Sequence, residues 1–238
     1  MAEADRPRVI LHILQSVDGR VAGAFFGEAA GCVGEYGRIR DELSVDCFVH
    51  GATTARQLYA RGTARPQRQA QVPPGDHVAR RASRYTAVLD PDGTLGYDSP
   101  TCERRGMEGS HIVALLTEDV TAAYLGYLRE RHVSYALCGH GRFDAGLAVK
   151  KLGSLFGVRR IALMGGGLAD GTFAAADAID ELSLVVAPVA EVASGAPSLF
   201  ETLPGIEARP IAWRLHEVRR LPDSGLWLHY LRDRDRTH

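Results

Sequence analysis

The chemistry available to this sequence lies more in backbone N–H groups than in acid or base side chains. From Arg159 to Met164 it reads as an apolar strand, which ends in Gly165, Gly166 and Gly167 and then turns into a helix through Leu168, Ala169, Asp170, Gly171 and Thr172. A loop without Cβ atoms at a helix start brings bare amides against a phosphate, although the same residues also suit a plain tight turn. No Gly-Lys-Ser/Thr ending follows, so the loop is not a P-loop. The next apolar run, Leu182 to Ala187, arrives too soon for the full crossover helix of a Rossmann fingerprint.

Nucleophile and metal constellations are missing from the sequence. Ser16 lacks a Gly-x-Ser-x-Gly elbow, and none of the nine histidines sits in a triad-like or metal-binding motif. His12, His111 and His229 fall within strand patterns, as packed or sheet-face residues. The four cysteines, Cys32, Cys47, Cys102 and Cys138, have neither metal-ligand spacing nor a disulfide framework. Backbone phosphate donors with few acid–base groups suit a cofactor that carries the hydride itself, which favours a nicotinamide-dependent reductase over a hydrolase. Asp18 is the first candidate for proton donation, against the alternative that Ser16-Val17-Asp18-Gly19 is a turn in which the carboxylate bonds local backbone. Glu118 and His140 follow it, and Ser16 is a candidate hydrogen-bonding partner of the substrate or carboxamide.

The elements that must position these groups read as an α/β fold in 238 residues, 45% hydrophobic and 24% charged. Strands are expected at Val9 to Leu14, Val45 to Val49, Tyr85 to Leu89, His111 to Leu116, Val133 to Leu137, Arg160 to Met164 and Leu182 to Ala187. Helices fit at Glu35 to Leu43, Ala52 to Ala60, Val120 to Arg131 and Phe143 to Phe156. Arg61 to Arg84 and Gly96 to Gly109 read as long loops, and Ile211 to Leu221 with Leu226 to Leu231 as a hairpin around Pro222-Asp223-Ser224-Gly225. In a mostly parallel sheet the strand ends share one edge, which gathers Gln15, Ser16, His50, Thr54, Asp90, Thr117, Glu118, Gly139, His140 and the glycine run. A net charge of −1 leaves no footprint for nucleic acid. The Arg56 to Arg68 and Arg80 to Arg84 segments read as solvated surface, and the charged N-terminus argues against secretion or membrane insertion. A cytoplasmic, single-domain protein over 1–238, with its core at about 9–231, is the expectation.

Three pieces resemble the reductase domain of the riboflavin pathway, a family with a dihydrofolate-reductase-like fold. Val9 to Ala22 is similar to its opening strand and Ser-Leu-Asp-Gly-Lys/Arg-Ile-Ala signature. Val45 to Thr54 is similar to its Ala-Asp-Ala-x-x-x-Gly-x-x-Thr strand and helix start. Gly165 to Thr172, followed by Ile179 to Val189, resembles its glycine loop and Val-Asp-Glu-Leu-x-x-x-x-x-Pro strand. The resemblance implies a central, mostly parallel sheet flanked by helices with a C-terminal antiparallel hairpin, and an NADPH-dependent homodimeric reductase without metal or flavin. Carried over by position, it makes Gly166, Gly167, Leu168, Ala169, Asp170, Gly171 and Thr172 the phosphate cradle. Thr54 binds the cofactor, Leu14 contributes backbone near the nicotinamide, and Pro91 lines the other side. Arg56 is a nearby cation able to pair with a 2′-phosphate.

Two departures bear on the substrate. Leu58 stands where the family has an Asp four residues after the helix-start Thr, and Met164 stands where it has a substrate-contacting Glu. A site that lacks a buried acceptor no longer selects by that hydrogen bond. The expectation is hydride transfer to a C=N or C=O carbon of a small pyrimidine- or pterin-like substrate. The competing readings are a specialised reductase with a rebuilt pocket and a non-catalytic nucleotide-binding protein. Trp213, Trp227 and Tyr230 of the hairpin suit either an interface or the core.

Overall fold

The computed structural model describes residues 6–64, 66, 71–202, 204–207 and 209–235. In chain order the elements are β1 (Arg8–Ser16), α1 (Phe25–Glu28), α2 (Ala30–Glu42), β2 (Cys47–Gly51), α3 (Ala52–Leu58), β3 (Tyr85–Leu89), β4 (Thr101–Cys102), β5 (Ser110–Leu116), α4 (Ala122–Glu130), β6 (Ser134–Leu137), α5 (Ala145–Phe156), β7 (Arg160–Leu163), α6 (Gly167–Ala175), β8 (Glu181–Ala187), β9 (Trp213–Arg220) and β10 (Leu226–Arg232). The fold is mixed α/β, and the expected C-terminal antiparallel pair is present. Two compact units make up the chain, one of Met1–Pro7 with Asp46–Ile161, the other of Arg8–Val45 with Ala162–His238. Parts of the long-loop expectation (residue 65 and 67–70), the N-terminal residues 1–5 and the tail residues 236–238 lie outside the described residues.

The first unit is built on parallel strands. β2 pairs with β3 from Cys47↔Tyr85 to Gly51↔Leu89, β3 with β5 from Tyr85↔His111 to Leu89↔Leu115, and β5 with β6 from Val113↔Ser134 to Leu116↔Leu137. β5 is buried along its whole length, as a near-continuous apolar strand must be when both faces are covered. Its start is paired with the short antiparallel β4, which falls inside the stretch expected to be loop. The crossover helices begin where their caps dictate: the Thr121 side chain accepts from Tyr124 N–H, and Asp144 Oδ1 accepts from Leu147 N–H at 2.8 Å. α5 ends at Gly157, whose φ of 73° suits a left-handed cap.

The second unit pairs β1 with β8 in parallel, Ile10↔Glu181 through Ser16↔Ala187. It continues through antiparallel β10 to β9. One face is closed by α1 and α2, whose Phe25, Ala29, Cys32 and Ile39 pack with Leu14, Val185, Ala187, Leu221 and Trp227. Trp227 therefore belongs to the core, while Trp213 and Tyr230 are half-buried. α2 begins five residues before the expected Glu35. Glycines in its first turns weaken the helical pattern, and the Asp223 carboxylate occupies the space beside Gly31. A polar chain runs through this core: Trp227 Nε1 donates to Ser183 Oγ at 2.8 Å, Ser183 Oγ meets His12 Nδ1 at 3.0 Å, and His12 Nε2 meets Tyr36 O at 3.0 Å. Because a carbonyl only accepts, the His12 proton is on Nε2. No helix among the described residues is long and apolar enough to cross a membrane.

Candidate functional site

In the second unit the glycine run forms the turn between β7 and α6. Met164 is buried, Gly166 occupies the N-cap position in extended conformation, and the nine-residue α6 fits before β8. The first bond of its ladder is Asp170 N–H to Gly166 O at 3.0 Å. The amides of Gly167, Leu168 and Ala169 come before that bond, and no side chain caps the helix. Leu168 stands outward, 54% exposed. Thr172 turns its hydroxyl inward along the helix to Leu168 O at 2.7 Å.

Asp170 lies beneath this turn. Its side chain is buried against Gly165, where a Cβ would sit 2.6 Å from Oδ1. Burial pushes its pKa well above the usual carboxylate range, with the Gly165 backbone acting weakly in the opposite direction.

Gly167 and Gly171, one helical turn apart, have a second reason to be glycine. A Cβ on Gly167 would stand 2.5 Å from Ser198 O and 2.6 Å from Glu201 Cγ, and one on Gly171 would overlap Glu201 O. The segment Ser198–Glu201 packs into the space they leave. At Gly171 the missing side chain makes room for Glu201 O on the flank of α6.

At the end of β1 the polar atoms are already engaged. Ser16 is buried; its Oγ accepts Arg20 N–H at 2.9 Å and donates to Asp18 Oδ1 at 2.5 Å. Asp18 also accepts Glu191 N–H at 2.9 Å and Val192 N–H at 3.2 Å. The Ser16 bond first, and the Glu191 amide next, lower its pKa to about 2. Asp18 is thus an acceptor that clamps a turn. Arg20 Nη1 donates to Ala196 O at 2.8 Å, while its Nε is buried without a partner among the described residues. Leu14 sits in the core, in register with Val185.

In the first unit, Thr54 and Leu58 lie on α3, directly after β2. The β2–β3 register places the start of α3 at the same edge as the turn that contains Pro91. Asp90 is fully used there, accepting Thr94 N–H (2.8 Å), Thr94 Oγ1 (2.9 Å), Leu95 N–H (2.9 Å) and the Tyr124 hydroxyl (3.1 Å). Pro91 O takes both the N–H and the hydroxyl of Thr117. Arg56 Nη2 reaches Thr94 Oγ1 at 3.2 Å. At the ends of β5 and β6, Glu118 N–H donates to Gly139 O, and the exposed His140 stands 3.4 Å from Asp119. Among the described residues no cluster of three or more His, Cys, Asp or Glu is placed to hold a metal, and all four cysteines are buried thiols.

The RibD C-terminal domain family matches residues 7–224. No curated protein matches the chain significantly. A pyrimidine reductase-like protein from Corynebacterium diphtheriae superposes with a TM-score of 0.69 at 14% identity, over 98% of this chain and 94% of that one. The riboflavin biosynthesis reductase of Saccharomyces cerevisiae gives 0.64 at 15% identity, over 98% and 93%. RibD of Acinetobacter baumannii gives 0.64 at 17% identity over 97% of this chain, which spans 59% of that protein. At these identities the superpositions establish a shared fold. Together with the near-complete family match, they assign this chain to the RibD C-terminal domain family.

Proposed function

We propose that the chain is a nicotinamide-dependent reductase that uses NADPH and acts on a small pyrimidine- or pterin-like substrate. The observation that carries the reading is the start of α6, where three amides precede the helical ladder and no side chain caps them. These residues fit a diphosphate: the amides of Gly167, Leu168 and Ala169 would bind it, with Gly165 and Gly166 keeping the approach clear. By resemblance to the family alone, Thr54, Leu14 and Pro91 are the further cofactor contacts of this reading. When bound, NADPH supplies a hydride from nicotinamide C4 to a C=N or C=O carbon. Because Ser16 and Asp18 are engaged with each other and with local backbone, the proton for the substrate heteroatom comes from solvent water. The relatives' names, pyrimidine reductase-like protein and riboflavin biosynthesis reductase, support the pyrimidine class.

Met164 favours a rebuilt substrate pocket within this reading, since a buried thioether now stands beside the glycine turn. A homodimer is supported by the exposed β9, on which Leu215 and Val218 are 50% and 56% exposed. The test is titration with NADPH and NADH, followed by NADPH oxidation with a ribosylaminopyrimidine. Turnover is the expected result. NADPH binding without turnover points to the rebuilt pocket, and absence of binding contradicts the reading.

A further inference from the structure

A single segment, Ala196–Glu201, joins the two sides of the second unit that face its candidate site. On α6 it fills the flank left by Gly167 and Gly171, and Glu201 N–H donates to Gly167 O at 2.9 Å. At its other end it is fastened to the turn after β1. Arg20 and Ser198 form an antiparallel bridge, Val21 N–H donates to Pro197 O at 3.0 Å, and Arg20 Nη1 donates to Ala196 O at 2.8 Å. The segment is also closed on itself. Glu201 Oε1 accepts the Ser198 N–H at 2.8 Å and the Ser198 hydroxyl at 2.7 Å, and that hydroxyl is also 3.0 Å from Phe200 O.

We propose that Ala196–Glu201 is a strap that holds the start of α6 in position for an anionic ligand, with Glu201 the positioning residue that keeps it closed. The proposal rests on the phosphate-binding reading of α6. An anion site made of backbone amides gains its affinity from the direction in which those amides are fixed, and a helix start bonded only to its own ladder can rotate or fray. The strap removes that freedom by bonding the first carbonyl of α6, while its neighbouring backbone occupies the notch at Gly171. Glu201 does this without competing for the ligand, because its carboxylate oxygen is bonded to Ser198 and not to the α6 amides. The Ser198 bonds hold its pKa below the usual range, so the clasp is ionised at neutral pH.

Glu201→Ala opens the clasp, and Gly171→Ala pushes the strap off while favouring the helix itself. Both are expected to raise the Kd and KM for NADPH at least about tenfold, with kcat at saturating cofactor within about twofold of wild type. Glu201→Gln, whose amide oxygen can accept both Ser198 bonds, is expected to retain most of the affinity. Folded Glu201→Ala and Gly171→Ala proteins that bind NADPH as wild type does would overturn the strap and leave the phosphate reading intact. Wild-type protein that binds neither NADPH nor NADH would overturn both. If Gly171→Ala does not fold, Ser198→Ala takes its place beside Glu201→Ala under the same thresholds.

Discussion

At the start of α6 and at the end of β1, the same unit presents two turns of opposite character. The first offers three amides ahead of the helical ladder, with no side chain capping them. The second is rich in side chains that suggest chemistry, yet Ser16, Asp18 and Arg20 are engaged with one another and with the backbone at Glu191, Val192 and Ala196. The contrast separates binding from proton transfer. In the proposed function, grip on an anion would come from backbone at one turn, while the acid–base residues of the other build its shape.

His12, on the strand that ends in the engaged turn, gives the largest expected effect. Burial lowers its pKa from 6.5 to about 4, so it is neutral in the folded protein. As pH falls below 6.5 the unfolded chain takes up the proton first. Stability is therefore complete above pH 6.5 and declines towards pH 4, by up to about 3 kcal/mol. Chemical denaturation followed by tryptophan fluorescence across that range measures it, and His12→Gln should flatten the slope. A wild-type profile that is already flat would mean that His12 is not held neutral by burial.

A smaller effect sharpens the α6 side of the contrast. Leu168→Asp places a carboxylate in the exposed first turn, where it favours the helix by about 0.3–1 kcal/mol but repels an anion. NADPH affinity should drop by about tenfold or more, equivalent to at least ~1.4 kcal/mol, with no loss of Tm. Unchanged affinity would break the comparison at its donor-rich end.

The smallest effect tests the other turn. Asp18→Asn should change kcat by less than about threefold, because no proton is relayed from a carboxyl of such low pKa. The folding contribution of Asp18 is present above its ordinary pKa of 3.8 and disappears as pH falls through about 2. Acid titrations of wild type and Asp18→Asn should therefore differ below pH 4 and converge in shape above it. A kcat loss of a hundredfold in a folded Asp18→Asn protein would restore Asp18 to the chemistry.

The strands were legible because buried parallel strands read as short β-branched runs, and Tyr85–Leu89 was located to the residue. The hairpin was legible from its Pro-Asp-Ser-Gly turn. α1 was not, since four residues give no periodicity to detect, and β4 is a two-residue pairing defined only by its contact with β5. At the candidate site the glycine turn was visible as composition, but the division of labour within it was not. Gly171 looks the same in sequence whether it admits a phosphate or Glu201 O. The local Ser16 bond to Asp18 fits the turn read from Ser16 to Gly19, but the Glu191 and Val192 amides that complete its clamp lie 173 and 174 residues away and leave no local signal. Glu191 and Glu201, which lie outside every motif read in the sequence, emerged only from long-range contacts.

The central claim is that α6 amides receive the cofactor phosphates. Its most direct test is an amide N–H chemical-shift titration of the protein with NADPH. The account predicts that the largest shifts fall on Gly167, Leu168 and Ala169, with Glu191 and Val192 nearly still. Large shifts at the Asp18 turn together with unmoved α6 amides would contradict it.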